Sequence, residues 1–218
     1  PDSLNMASSI AAAVTGRDAV ITMLPDGGTL RQVAADIIPV MTAGSALIDC
    51  STVDVDSARD VGAMAAEAGL LAVDAPVSGG VGGARSGSLT FMAGGSDAGF
   101  ALAAPLFEIM GAKAVHCGGS GAGQAAKICN NMILGATMIV TCEAFALADG
   151  LGLDRQKMFD VVSTSSGYSW SMNSYCPAPG VGPESPSDNG YIPGFSADLM
   201  LKDLRLALQA AQSAGADT

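Results

Sequence analysis

The chain has 218 residues, of which 49% are hydrophobic and 14% are charged, and its formal net charge is −11. Such a composition is typical of a core-rich globular protein and excludes a disordered chain. The strong negative charge argues against nucleic acid and membranes as partners. One histidine and five cysteines, none at Cys-x-x-Cys spacing, argue against a metal site or a disulfide framework and indicate a reducing, intracellular compartment.

The first half of the chain alternates short apolar runs with alanine-rich segments. Strands that alternate with helices in this way predict an α/β fold, with a mostly parallel sheet covered by helices on both faces. The predicted strands cover residues 18–24, 46–50, 70–75, 89–93 and 113–117. Three helices are predicted between them: one that ends near residue 38, one over 55–69 and one over 97–110.

From residue 124 onward the pattern becomes helical, so we expect two domains, 1–119 and 120–218. The apolar run Met132–Val140 predicts that the first of these helices is buried. Because Asn130 and Asn131 precede the run and Glu143 follows it, a core helix is favoured over a membrane span. The helices are predicted over residues 124–149, 154–164 and 196–214.

Residues 165–194 form a long irregular segment between two predicted helices. It holds the only tryptophan, Trp170, together with all three tyrosines and five of the ten prolines. Long loops are usually functional or disordered, and disordered segments lack aromatic residues. We therefore expect a packed lid over a ligand, the alternative being an aromatic-anchored loop without one.

A glycine-rich turn, Gly118–Gly123, opens the long helix, and Lys127, Asn130 and Asn131 follow on its first turns. Residues three and four apart share a helix face, and the two amides supply donors and acceptors for a bound oxygen function. The nearby helix N-terminus and partial burial both favour the neutral amine, the form that acts as a general base. The alternative is a lysine that extends from an apolar helix into water.

Further candidate residues follow the predicted strands. Met23–Pro25 and Asp49–Thr52 end two strands at the carboxyl edge of the sheet, where doubly wound folds bind ligands. Asp74–Gly80 places the Ser78 hydroxyl and consecutive backbone amides on a tight turn that can accept a carboxylate.

The chain resembles the β-hydroxyacid dehydrogenase family, in particular its 3-hydroxyisobutyrate branch. The resemblance rests on Thr22–Pro25, Ile48–Thr52, Asp74–Arg85, Gly121–Asn131, Ser165–Trp170 with Pro177–Val181, and Lys202-Asp203. The resemblance covers essentially the whole chain. It implies a partial Rossmann-type doubly wound sheet followed by an all-α domain built on a long interdomain helix. It also implies NAD-dependent oxidation of a 3-hydroxy acid, 3-hydroxyisobutyrate, to methylmalonate semialdehyde, a step of valine catabolism. A homodimer or homotetramer is expected, in the mitochondrial matrix of a eukaryote or the cytoplasm of a bacterium.

The resemblance also implies roles for individual residues. Lys127 matches the catalytic lysine and would take the hydroxyl proton. The substrate-binding positions are Ser78 and Gly79 for the carboxylate, Asn131 beside the lysine, Trp170 and Tyr175 from the lid, and Asp203. The cofactor-binding positions are Leu24, Pro25, Thr52 and Lys202.

Two departures from the family pattern concern the ends of the sequence. The opening strand with its Gly-x-Gly-x-x-Gly turn and the last helices of the family are missing from these residues, so we expect residues 1–218 alone to bind NADH weakly and aggregate. The choice between NAD and NADP is not encoded here. The alternatives are a serine, 3-hydroxypropionate, tartronate-semialdehyde or glyoxylate-type enzyme of the same family, or a non-catalytic binding module.

Overall fold

The computed structural model describes residues 5–192 and 194–217, which form two compact units. The first unit comprises Pro1–Ile128 with Leu208–Thr218, and the second comprises Cys129–Ala207. In chain order the elements are α1 Ile10–Val14, β1 Ala19–Thr22, α2 Gly27–Ile37, β2 Ala46–Asp49, α3 Val55–Glu67, β3 Leu71–Asp74, β4 Val77–Ser78, α4 Gly80–Ser86, β5 Leu89–Gly95, α5 Asp97–Met110, β6 Gly111–Gly118, α6 Ala122–Gly150, α7 Arg155–Val162, α8 Trp170–Asn173 and α9 Ala197–Ala214.

The first unit contains a six-stranded sheet with the order β1-β2-β3-β5-β4, in which β6 also pairs with β5. The pairs β1–β2, β2–β3 and β5–β6 are parallel, whereas β3–β5 and β4–β5 are antiparallel. The sheet is therefore more mixed than we expected. The chain passes from β3 to β5 through the short β4 and α4, without the long crossover that β1–β2 and β2–β3 have, and such a connection reverses the strand direction.

Helices cover both faces of the sheet, which confirms the predicted α/β class. On one face Leu30, Ala34 and Ile37 of α2 are buried at helical spacing with Leu47 of β2. On the other face, Ile48 of β2 belongs to a second cluster with Val73, Phe91, Ala103 and Phe107. Adjacent residues of β2 thus contribute to opposite faces, as the alternation of side chains along a strand requires.

The second unit departs from the prediction that the apolar run of α6 is buried. Ile133, Ile139 and Val140 are 65%, 59% and 61% exposed, and Cys129 and Cys142 of the same helix are also exposed. One strip of the helix does pack against its unit. At Gly135 an added Cβ would lie 2.9 Å from the Leu204 side chain, so α9 approaches α6 closely there. By length and composition α6 could cross a membrane.

The segment predicted to be irregular contains α8 and a short 3-10 helix, Pro186–Asn189. Its buried residues Met172, Cys176 and Val181 pack with Phe145 of α6 and Met158 of α7. The hydroxyls of Ser185 and Ser187 donate hydrogen bonds to the Cys176 carbonyl oxygen at 2.7 and 3.0 Å. The segment is therefore anchored to its unit by a small core. One of its five prolines, Pro193, lies outside the described residues.

Candidate active site

The carboxyl ends of β1, β2 and β3 meet at one edge of the sheet, as predicted. Thr22, Asp49 and Asp74 end these three strands and are adjacent in register. The segments that follow, with Leu24 and Pro25 after β1 and Thr52 after β2, therefore leave the sheet side by side. Leu24 and Thr52 are half-buried and Pro25 is exposed, so all three present surface to a ligand.

A buried carboxylate, Asp49, ties the first two of these segments together. Its Oδ1 atom accepts hydrogen bonds from the Thr22 hydroxyl at 2.8 Å and the Ser51 hydroxyl at 2.6 Å. The Ser51 hydroxyl in turn accepts one from the Leu24 backbone N–H at 2.7 Å. Burial raises the pKa of Asp49, although these hydrogen bonds oppose the shift.

A second buried carboxylate, Asp74, holds the start of α6. Its Oδ1 accepts from the Gly121 N–H at 2.7 Å and its Oδ2 accepts from the Gln124 N–H at 2.9 Å. A negative charge at a helix N-terminus is favourable, and here it satisfies backbone donors that have no partner within the helix. Burial raises the pKa of Asp74, and the backbone hydrogen bonds oppose that shift.

The side chain of Gln124 connects α6 to the segment after β2. Gln124 is fully buried, its Nε2 donates to the Ser51 carbonyl oxygen at 2.8 Å, and its Oε1 accepts from the Val53 N–H at 3.1 Å. Both groups of the amide are therefore satisfied by backbone. The residue between these two backbone partners is Thr52, the predicted cofactor contact.

Lys127 lies one turn further along α6 and is only 8% exposed. A lysine that merely extends from an apolar helix into water would be far more accessible. Since residues three apart share a helix face, Lys127 follows Gln124 on the side of α6 that faces the segment after β2. The predicted catalytic lysine thus lies on the helix that Gln124 and Asp74 join by hydrogen bonds to the segment after β2 and to the end of β3.

The predicted carboxylate turn lies at the end of β4. Ser78 pairs with Thr90 of β5 and is half-buried, while Gly79 is exposed. Gly79 has a φ of 127°, a conformation that residues with a side chain rarely adopt. The helix α4 begins directly after it, where the sequence indicated only a turn.

In the second unit, Asn131, Lys202 and Asp203 come together. The Asn131 Nδ2 donates to Asp203 Oδ2 at 2.5 Å, and the Lys202 ammonium lies 3.2 Å from Asp203 Oδ1. Asn131 and Asp203 are 1% and 2% exposed. Asp203 thus accepts a hydrogen bond at Oδ2 and forms an ion pair at Oδ1, so this carboxylate orients Asn131.

The predicted lid presents a stacked aromatic pair. The rings of Trp170 and Tyr175 lie 4.9 Å apart between centroids with an interplanar angle of 21°. Trp170 is 51% exposed although its neighbours Ser171 and Met172 are buried. The pair therefore presents an accessible aromatic face on a segment that is anchored by its buried residues Ser171 and Met172.

The residues that hold the site were not assigned roles from the sequence. Asp49, Asp74 and Gln124 organise the segments that carry the predicted contacts. A signal for the two carboxylates was present, because each is a charged residue at the end of a buried apolar strand, where an acid without partners is costly.

Comparison with known proteins shows the family of this chain. Residues 2–119 match the family model described as the NAD binding domain of 6-phosphogluconate dehydrogenase. Residues 121–218 match the model described as NAD-binding of NADP-dependent 3-hydroxyisobutyrate dehydrogenase. A 3-hydroxyisobutyrate dehydrogenase of Pseudomonas aeruginosa is 48% identical over 97% of this chain and 72% of its own length. The chain belongs to the 3-hydroxyisobutyrate dehydrogenase family. It is accordingly an NAD-dependent oxidoreductase acting on a hydroxy acid.

Two further relatives within this family have L-serine in their names. The NAD-dependent L-serine dehydrogenase of Pseudomonas aeruginosa is 43% identical over 97% of this chain and 72% of its own length. A solved structure of Mycobacterium tuberculosis 3-hydroxyisobutyrate dehydrogenase with L-serine superposes with a TM-score of 0.93 at 46% identity, covering 97% of this chain and 72% of that one.

Proposed function

We propose that this protein oxidises 3-hydroxyisobutyrate to methylmalonate semialdehyde with NAD as the hydride acceptor, as a step of valine catabolism. The observation that carries the proposal is a buried lysine, Lys127, on the helix turn after Gln124, whose amide is bonded to the segment of Thr52. When bound, the nicotinamide takes the hydride from the substrate carbon. Leu24, Pro25 and Thr52 would hold the nicotinamide, because all three are accessible at the carboxyl edge of the sheet.

The chain's own residues transfer the proton and bind the substrate. Lys127 accepts the proton of the substrate hydroxyl as the hydride leaves the adjacent carbon. Asn131, oriented by Asp203, donates a hydrogen bond to the substrate oxygen. Lys202, which is paired with Asp203, contacts the cofactor or the substrate. The Ser78 hydroxyl and the Gly79 N–H bind the carboxylate.

The aromatic pair of Trp170 and Tyr175 favours an apolar group on the second carbon of the substrate, which suits the methyl of 3-hydroxyisobutyrate. An aromatic face also attracts a cation such as an ammonium. L-serine is therefore a second candidate substrate, favoured by the relatives that name it.

Steady-state kinetics of the full-length protein test these assignments. The substrates are 3-hydroxyisobutyrate, L-serine and 3-hydroxypropionate, each assayed with NAD and with NADP. Tartronate semialdehyde, which is an aldehyde, is assayed in the reverse direction with NADH and with NADPH. We expect the highest kcat/KM for 3-hydroxyisobutyrate with NAD. A highest value for L-serine would move the assignment to the second candidate, and equal values with and without the methyl group would contradict an apolar pocket.

We further propose that the protein is a homodimer or homotetramer whose interface includes α6. Ile133, Val140 and Leu147 lie on one side of the helix and are 65%, 61% and 63% exposed. Three large apolar side chains exposed at seven-residue spacing along one helix suit a contact with another protein surface. Light scattering on the full-length protein should report a dimer or larger. Ile133→Lys with Val140→Glu should lower that mass, and the control Val161→Glu on α7 should not.

Two smaller proposals complete this assignment. The five cysteines are free, which supports a reducing intracellular location. The domain division 1–119 and 120–218 is supported by the point at which the two family models meet, whereas the compact units of the structure divide after Ile128.

A further inference from the structure

We infer that Gln124 is a positioning residue that sets the distance between the proton acceptor Lys127 and the nicotinamide-binding segment at Thr52. The inference rests on the proposed function. Gln124 is a fully buried amide whose two hydrogen bonds both go to that one segment, to the Ser51 carbonyl oxygen and the Val53 N–H.

The geometry of α6 explains why this amide controls the lysine. The helix start is held independently by Asp74, which accepts from the Gly121 and Gln124 backbone N–H groups. A helix held only there can still rotate about its axis or tilt. The Gln124 side chain supplies the second attachment, one turn before Lys127, and thereby sets the direction in which the lysine points.

The other end of the attachment is held as well. Ser51 is joined to Asp49 through its hydroxyl at 2.6 Å and to the Leu24 N–H at 2.7 Å. Gln124 therefore connects α6 to both segments that follow β1 and β2. Proton and hydride leave adjacent atoms of the same substrate, so the two acceptors must keep a fixed separation. A displacement of about 1 Å in such an arrangement costs roughly 10²-fold in rate.

The test is Gln124→Met in the full-length protein. Methionine keeps the length and helix propensity of glutamine and removes both side-chain hydrogen bonds, while the backbone N–H to Asp74 remains. We expect kcat to fall by about 10- to 100-fold with little change in KM, because the loss falls on the transition state. The affinity for NADH, measured by fluorescence titration without substrate, should stay close to that of the wild type, and its loss would overturn the inference. Thr141→Val is the matched control: it removes a buried hydroxyl bond on the same helix, to the Thr137 carbonyl oxygen, and should leave kcat unchanged.

A wild-type kcat in Gln124→Met, an equal loss in Thr141→Val, or a raised KM at unchanged kcat would each overturn the inference. If Gln124→Met does not fold, Gln124→Asn keeps the amide but is one methylene too short to span both partners, and the same loss in kcat is expected. Lys127→Ala separates the two proposals. Full activity in that variant would contradict the proposed function, whereas an inactive Lys127→Ala beside a fully active Gln124→Met would contradict only the role of Gln124.

Discussion

Substituting one glycine at the start of α6 should test how tightly this helix is held against the sheet. An added Cβ at Gly123 would overlap the carbonyl oxygens of Asp74 and Met92 and would lie 2.8 Å from Asp74 Oδ2. The carbonyl oxygens are backbone atoms that cannot rotate away. Gly123→Ala therefore requires α6 to move away from β3 and β5.

The cost of that movement follows from the hydrogen bonds that it breaks. A shift of about 1 Å would lengthen both N–H contacts to the Asp74 carboxylate beyond bonding range, and bonds to charged groups contribute about 1.5–3 kcal/mol each. Alanine recovers about 1 kcal/mol through helix propensity. The free energy of unfolding should therefore fall by about 2–5 kcal/mol, which lowers Tm by roughly 5–15 °C in a chain of this size.

Thermal unfolding followed by circular dichroism measures this effect, with Gly150→Ala as the control. Gly150 belongs to the same helix, and an added Cβ there meets nothing within 4 Å. The free energy of unfolding of this variant should equal that of the wild type or exceed it by up to about 1 kcal/mol, so its Tm should not fall. A Gly123→Ala protein as stable as the wild type would refute the close packing of α6 on the strand ends.

Three further predictions concern the site. Lys127→Ala should lower kcat by about 10²–10⁴-fold while NADH affinity, measured by fluorescence titration, is retained, and a wild-type rate would exclude it as the base. Trp170→Ala should weaken 3-hydroxyisobutyrate more than 3-hydroxypropionate in KM, and equal losses would make the tryptophan structural. Burial raises the pKa of Asp49 above 3.8, so its contribution to stability is full below that pH and is lost as pH rises through the folded-state value. Asp49→Asn should therefore flatten the decline of Tm as pH rises above about 4, and an unchanged profile would contradict a buried carboxylate with a raised pKa.

Local patterns in the sequence determined the class of fold and most element positions. The helix α5 begins and ends where it was predicted. The helix predicted from residue 154 begins there as α7, because Asp154 caps it by accepting from the Lys157 N–H. These features depend on interactions among near neighbours in the chain, which periodicity and capping residues report directly. The predicted site positions likewise came from short motifs at strand ends and on one helix face.

The tertiary structure alone decided which residues hold those motifs in place. Gln124 bonds to Ser51 and Val53 across 73 and 71 positions of sequence, and no local pattern reports such a pairing. The antiparallel β5 and the exposed side of α6 were also decided at this level. An apolar run shows that burial is favourable, but which side of a helix is covered depends on the elements that the fold brings to it.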